Sequence, residues 1–110
     1  MPRLLLLLLL PLAALAAEPP PDIAVGDWVF RAGTGRESAI IRALDHGEYS
    51  HIGIVTAVEP IVRITHATTD DDPTHPNQII ASDYAAYTAP AIAAKTAVAR
   101  PAFLSTDERR

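Results

Sequence analysis

The stretch EYSHIGIV, Glu48 to Val55, decides how the chain is read. It opens a β-rich run, His51 to Val58, and a second such run, IVRITHAT from Ile61 to Thr68, follows after only Glu59-Pro60. Two strands joined so briefly can pair only as an antiparallel hairpin, although Glu-Pro is not a favoured two-residue turn. Across such a connection Val58 faces Ile61, which sets Gly53 opposite His66 and His51 opposite Thr68. Side chains alternate between faces, so His51, Gly53 and Val55 share one side with Val62, Ile64, His66 and Thr68. His51 and His66 become diagonal neighbours, and Gly53 removes the side chain that would stand across from His66. Parity is decisive. A connection one residue longer or shorter sends the two histidines to opposite faces.

Two imidazoles side by side suit two chemistries. In general acid–base work one ring takes a proton and the other orients it. In metal ligation His51 and His66 would be joined by His75, with the acidic run Asp70 to Asp72 nearby in sequence. A third reading gives them no chemical task, as rim residues of a small β-domain. Spacing alone leaves these three open. Ser50 is not a nucleophile for His51, because adjacent strand residues point to opposite faces.

Outward from the hairpin, GDWVFRAG predicts a turn at Gly26-Asp27 and a strand from Trp28 to Arg31, with Trp28 in the core and Val29 and Phe30 packing. TGRESAIIRALDHG is the strongest helix signal. Thr34 and Glu37 are spaced as a capping box, Ile40, Ile41 and Leu44 form one apolar face, and Gly47 sits where a left-handed cap is expected. Gln78 to Ala81 predicts a brief strand, Ser82 an N-cap of a short helix, and Lys95 to Pro101 a last strand. The expected fold is α+β: a small, mostly antiparallel sheet with the Thr34–Leu44 helix packed beside it.

The N-terminus reads as a secretory signal peptide over residues 1–16. Arg3 is followed by an apolar run from Leu4 to Leu15, and Ala14 and Ala16 occupy the cleavage positions. That run is too short to span a bilayer, so no stable membrane anchor is expected. Cleavage after Ala16 removes 16 of the 110 residues and leaves one domain at most. Residues 17–22 form a proline-rich spacer, residues 23–104 the domain and residues 105–110 a tail. The whole chain carries 9 basic and 13 acidic residues and has no basic patch, which argues against a nucleic-acid partner. It contains no cysteine, hence neither a disulfide staple nor a thiol nucleophile. No cofactor is indicated.

The order GDWVFRAGTGRESAIIRAL, then GEYSHIGIV, then VRITHATTDDDP resembles the circularly permuted papain-like hydrolases of the YiiX/YaeF type, relatives of bacterial cell-wall cysteine endopeptidases. The resemblance covers Val25 to Pro101. It implies a periplasmic or secreted amidase or peptidase acting on peptide or acyl-amide substrates. In that family a histidine at the start of a strand is the base, a polar residue on the next strand orients it, and the nucleophilic cysteine lies on a downstream helix. His51 matches the first position and His66 the second. The sequence departs from the pattern at FLSTDERR, where relatives continue into the cysteine-bearing helix. The resemblance therefore implies the front part of an enzyme that is inactive as it stands. Neither Ser105 nor Thr106 is expected to replace the thiol, since no helix is expected to follow them.

Overall fold

The β-prone run WVFRAG forms β1, Trp28–Gly33, with Val29 and Arg31 turned to one face and Trp28 and Phe30 to the other. The computed structural model describes residues 17–68 and 74–110. The proposed signal peptide and the Asp70–Asp72 loop lie outside the described residues. After β1 come α1 (Arg36–Asp45), β2 (His51–Ala57), β3 (Arg63–Ala67), β4 (Ile79–Asp83), α2 (Tyr84–Tyr87), β5 (Ala93–Ala99) and α3 (Thr106–Arg109). The strands make one sheet in the order β4-β3-β2-β1-β5, antiparallel throughout. The architecture is α+β, as the sequence led us to expect.

The hairpin reaches the expected register by a different route. Ile54 pairs with Thr65 and Val55 with Ile64, which continues to Gly53 opposite His66. The two strands are not joined by Glu59-Pro60 alone. Ala57 pairs with Arg63, five residues connect them, and the Glu59-Pro60 peptide is cis. An odd connection would have reversed the faces, but a β-bulge between Val55 and Ala57 inserts one extra residue and restores the parity. The inner face then collects Val29, Val55 and Ile64, all fully buried, and α2 closes over them with Tyr84 and Tyr87.

The helix expected to pack beside the sheet contributes little to that core. In α1 only Ser38 is buried, while Ile40 is 49% and Leu44 77% exposed. Its ends also differ from the expectation. The N-cap is Gly35, with no side-chain cap, because the Thr34 hydroxyl donates instead to the Ala91 carbonyl at 2.7 Å. The left-handed cap is His46 at φ 57°, and Gly47 donates its N–H to Asp45 Oδ1. Histidine is among the non-glycine residues that tolerate this region. Trp28, expected in the core, is half-buried on the outer face against Phe103, ring centroids 6.0 Å apart. The tail expected to lack a helix forms α3, where Ser105 and Glu108 make a capping box.

The Gly-Asp pair before β1 locks the end of the sheet remote from His51. Gly26 adopts φ +91°, and a side chain there would run into the backbone of Arg109 in α3. Asp27 is 2% exposed and accepts from Ala24 N–H at 2.9 Å and from Arg100 Nε at 2.8 Å and Nη2 at 2.9 Å. The start of β1 is thereby tied to the chain just after β5. Burial alone pushes the Asp27 carboxyl up, but hydrogen bonds from Arg100 and Ala24, with the Arg100 charge, hold it below its ordinary value. A carboxylate with a depressed folded pKa gives stability that is complete above the unfolded value, ~4. That stability disappears as pH falls through the folded value. Removing the cation by Arg100→Ala leaves burial in control, so the depression is abolished. Urea unfolding of both proteins is expected to show the variant less stable at neutral pH. The gap should narrow steadily as the pH is lowered below 4.

Candidate functional site

His51 is the first residue of β2 and His66 the fourth of β3, both on the inner face. The register leaves them diagonal, and their rings meet edge to face, with centroids 5.1 Å apart. His51 Nε2 lies 3.0 Å from His66 Nδ1, a hydrogen bond whose direction depends on the tautomers. The contact needs Gly53. A side chain at that position would collide with Ile64 Cγ2 and lie 3.1 Å from Tyr87 Cε2 and 3.3 Å from His66 Cβ. The glycine is thus the gap through which β3 and α2 close on β2.

Tyr87 holds the pair from above. Its ring centroid is 4.9 Å from that of His66, near perpendicular, and 5.9 Å from that of His51, tilted by 34°. Its hydroxyl donates to the Val29 carbonyl at 2.7 Å, and its own carbonyl accepts from Arg31 Nη1 at 3.2 Å. Burial pushes the phenol far above its ordinary pKa, against the nearby Arg31 charge, so Tyr87 remains a neutral donor. Arg31 is 1% exposed, pairs across the sheet with His51, and sets its guanidinium 4.5 Å from the centre of the Tyr87 ring. At the far side His66 Nε2 lies 3.0 Å from Ser82 Oγ. Ser82 belongs to β4, and the N-cap of α2 is its neighbour Asp83, which accepts from Ala86 N–H at 2.7 Å. The Ser82 cap expected from the sequence is therefore displaced by one residue.

The remaining sequence candidates stay apart from this pair. His75 sits in an exposed loop with its Nδ1 3.0 Å from Thr74 Oγ1. Among the described residues no group of three or more histidine, aspartate or glutamate side chains is gathered where it could hold a metal ion. The set of His51, His66 and His75 is thus not assembled as a ligand cluster. Ser50, as expected, points away from the imidazoles; its hydroxyl accepts from Gly33 N–H at 2.9 Å. Ser105 caps α3, beside the Gly26 turn and away from the histidines.

Three residues of the site were missed at the level of sequence. Arg31 had a detectable signal, being two positions from Val29 and hence on the same inward face of an apolar strand. Tyr87 lay in an alanine-rich stretch, and its one clue was its spacing of three from Tyr84. Ser82 could be found only from the β3–β4 register, which places it beside Ile64.

A cleft of about 350 Å³ lies on the outer face, floored by Phe30, Ile41 and Ile52 and rimmed by Asp45 and Glu48; His51 joins its lining at the start of β2, but the His51 ring packs on the inner face against His66 and Tyr87. Glu48 is paired with Lys95 at 2.9 Å, and Lys95 also lies over the Tyr49 ring. A larger cavity, about 440 Å³, lies at the hairpin-loop end, between Val58, Pro60, Ile61 and Tyr84, away from the imidazoles. Comparison with protein-family models, with curated proteins and with solved structures finds no match.

The dependence on Gly53 is open to measurement. Gly53→Ala is expected to lower stability by ~1–3 kcal/mol through overpacking against Ile64 and Tyr87. Imidazole proton spectra of the folded variant should also show the His51–His66 hydrogen bond lost. An unchanged unfolding midpoint with that hydrogen bond retained would contradict the close approach described above.

Proposed function

We propose that the chain carries the base and the orienting residue of a permuted papain-like hydrolase, exported and acting on amide bonds of peptide or acyl-amide substrates. The observation that carries the reading is the 3.0 Å contact between His51 Nε2 and His66 Nδ1, at the two positions where the resemblance puts base and orienter. With Nε2 engaged by His66, His51 takes a proton at Nδ1. A thiol approaching that atom is deprotonated and attacks the substrate carbonyl. The C–N bond then breaks as His51 returns the proton to the leaving amine. Water, deprotonated by the same ring, releases the acyl group and restores the thiol. His66 accepts from Nε2–H of the imidazolium and fixes its plane throughout.

These 110 residues contain no cysteine, so the thiol in this scheme belongs to polypeptide outside them. The chain alone is expected to show no cysteine-type hydrolase activity. Fusion to a cysteine-bearing helix from a full-length relative should produce amidase activity that a thiol-directed inhibitor blocks. His51→Ala in that fusion is expected to cost about 10²–10⁴-fold in kcat. Turnover by the unmodified chain, insensitive to the inhibitor, would overturn the mechanism. The lack of a thiol also favours a second reading, a non-catalytic binding module. It predicts that the fusion stays inactive and that His51→Ala changes nothing but local packing.

Export rests on residues 1–16. The exported protein is expected to begin at Ala17, since Ala14 and Ala16 occupy the cleavage positions. Intact-mass measurement of periplasmic material checks this, and a retained Met1 in that fraction would refute it.

A further inference from the structure

His66 is hydrogen-bonded at both ring nitrogens, 3.0 Å from His51 Nε2 on one side and 3.0 Å from Ser82 Oγ on the other. A neutral imidazole carries one proton, so the two contacts are coupled: the nitrogen that donates on one side forces the other to accept. Two states are possible. If the Ser82 oxygen accepts from His66 Nε2–H, then His66 Nδ1 accepts from His51 Nε2–H, and the lone pair of His51 is at Nδ1. If Ser82 donates instead, His66 carries its proton on Nδ1, His51 Nε2 accepts it, and His51 Nδ1 is protonated and useless as a base. The Ala67 carbonyl, 3.3 Å from His66 Nδ1, favours that second state. A longer contact to a backbone carbonyl thus opposes a shorter one to a hydroxyl.

We propose that Ser82 is a positioning residue, which by accepting from His66 Nε2–H holds both imbedded imidazoles in their Nε2–H tautomers and leaves His51 Nδ1 as the basic atom. The inference rests on the reading of His51 as a base and identifies what prepares it. The inward-facing positions of three neighbouring strands form the row: His51 on β2, His66 on β3 and Ser82 on β4. The hydroxyl is suited to this place. It remains neutral at every relevant pH, and being attached to a strand rather than a loop it is held in register by the Ile64–Ser82 pairing. When His51 is protonated, its Nε2–H is already directed at His66, so neither ring has to change partner. The orienting device is thereby extended beyond the pair to a third residue that acts only through His66.

The test is the tautomeric state of the two rings, read from their nitrogen chemical shifts by long-range proton–nitrogen correlation at a pH where both are neutral. In the unmodified chain both histidines are expected as Nε2–H. Removing the hydroxyl by Ser82→Ala leaves the Ala67 carbonyl to decide, and both rings should switch to Nδ1–H; Ser82→Thr, which keeps a hydroxyl, should retain Nε2–H. An Nδ1–H tautomer at His66 in the unmodified chain overturns the proposal without any variant. Unaltered tautomers in a folded Ser82→Ala protein overturn it as well. The measurement needs no activity and so separates this proposal from the one on which it rests. An inactive cysteine fusion with the expected tautomers would defeat the hydrolase reading and leave the role of Ser82 in ordering the rings intact. In an active fusion, Ser82→Ala should lower kcat with KM unchanged, forfeiting part of the ~10²–10⁴-fold that a correctly protonated base contributes.

Discussion

The anchoring of Tyr87 is the constraint on which the rest of the structure depends. A four-residue helix cannot sustain itself, because nucleation costs more than so few hydrogen bonds return. Tyr84 packs α2 into the core, and Tyr87 ties it to the sheet through both its side chain and its backbone. Its hydroxyl donates to the Val29 carbonyl, and its carbonyl accepts from Arg31, so β1 grips the residue twice. Once fixed, the ring covers the apolar centre formed by Val29, Val55 and Ile64 and forms the ceiling above both imidazoles. Core and site are built from one side chain. A change in its packing is felt by both.

The floor of the site is set by the opposite device, a missing side chain. Gly53 is a poor strand residue by propensity, having no side chain to pack and the largest backbone entropy to lose. Here its vacancy is filled from two directions, by Ile64 and His66 on β3 and by Tyr87 on α2. Local propensity is sacrificed for close approach, and the apolar neighbours on either side, Ile52 and Ile54, keep the strand intact on the outer face. Exceptions of this sort to local consistency are expected where a site is being shaped.

That logic also explains which parts of the structure could be read from sequence. Alternation in HIGIV and RITHA gave the faces of β2 and β3 directly, because a period of two has only two possible phases. The pairing of His51 with His66 was legible for that reason, yet the connection was not. The expected two-residue turn and the observed five-residue connection with a bulge arrive at the same register, since a bulge adds one residue to one strand. The helix over Arg36–Asp45 was legible as a helix but not in its packing. Ile40, Ile41 and Leu44 have helical spacing, and spacing does not say whether anything lies opposite them. Thr34 shows the same limit at a cap: its hydroxyl had a tertiary partner in Ala91, and that partner outcompeted the local one. Ser82 was hidden because its importance comes from the His66 side chain on a strand far along the chain.

Two clusters of buried polar groups lie at opposite ends of the sheet and differ in what they tie together. At one end of the sheet Asp27 is closed off by Arg100 and Ala24, an ion pair with an immediate structural use, fastening the chain after β5 to the beginning of β1. At the other end His51, His66 and Ser82 make a row of polar groups that, with Arg31, the Tyr87 ring packs against, where an apolar set would pack with less desolvation cost. Exposure is least at the centre of the row, 6% at His66, and greater at both ends, where His51 and Ser82 are half-buried. A fully sealed network would serve only rigidity. A network buried at its centre and part-exposed at both ends keeps the His66 ring fixed while solvent reaches His51 and Ser82, which is the arrangement that the proposed base and its orienter would require.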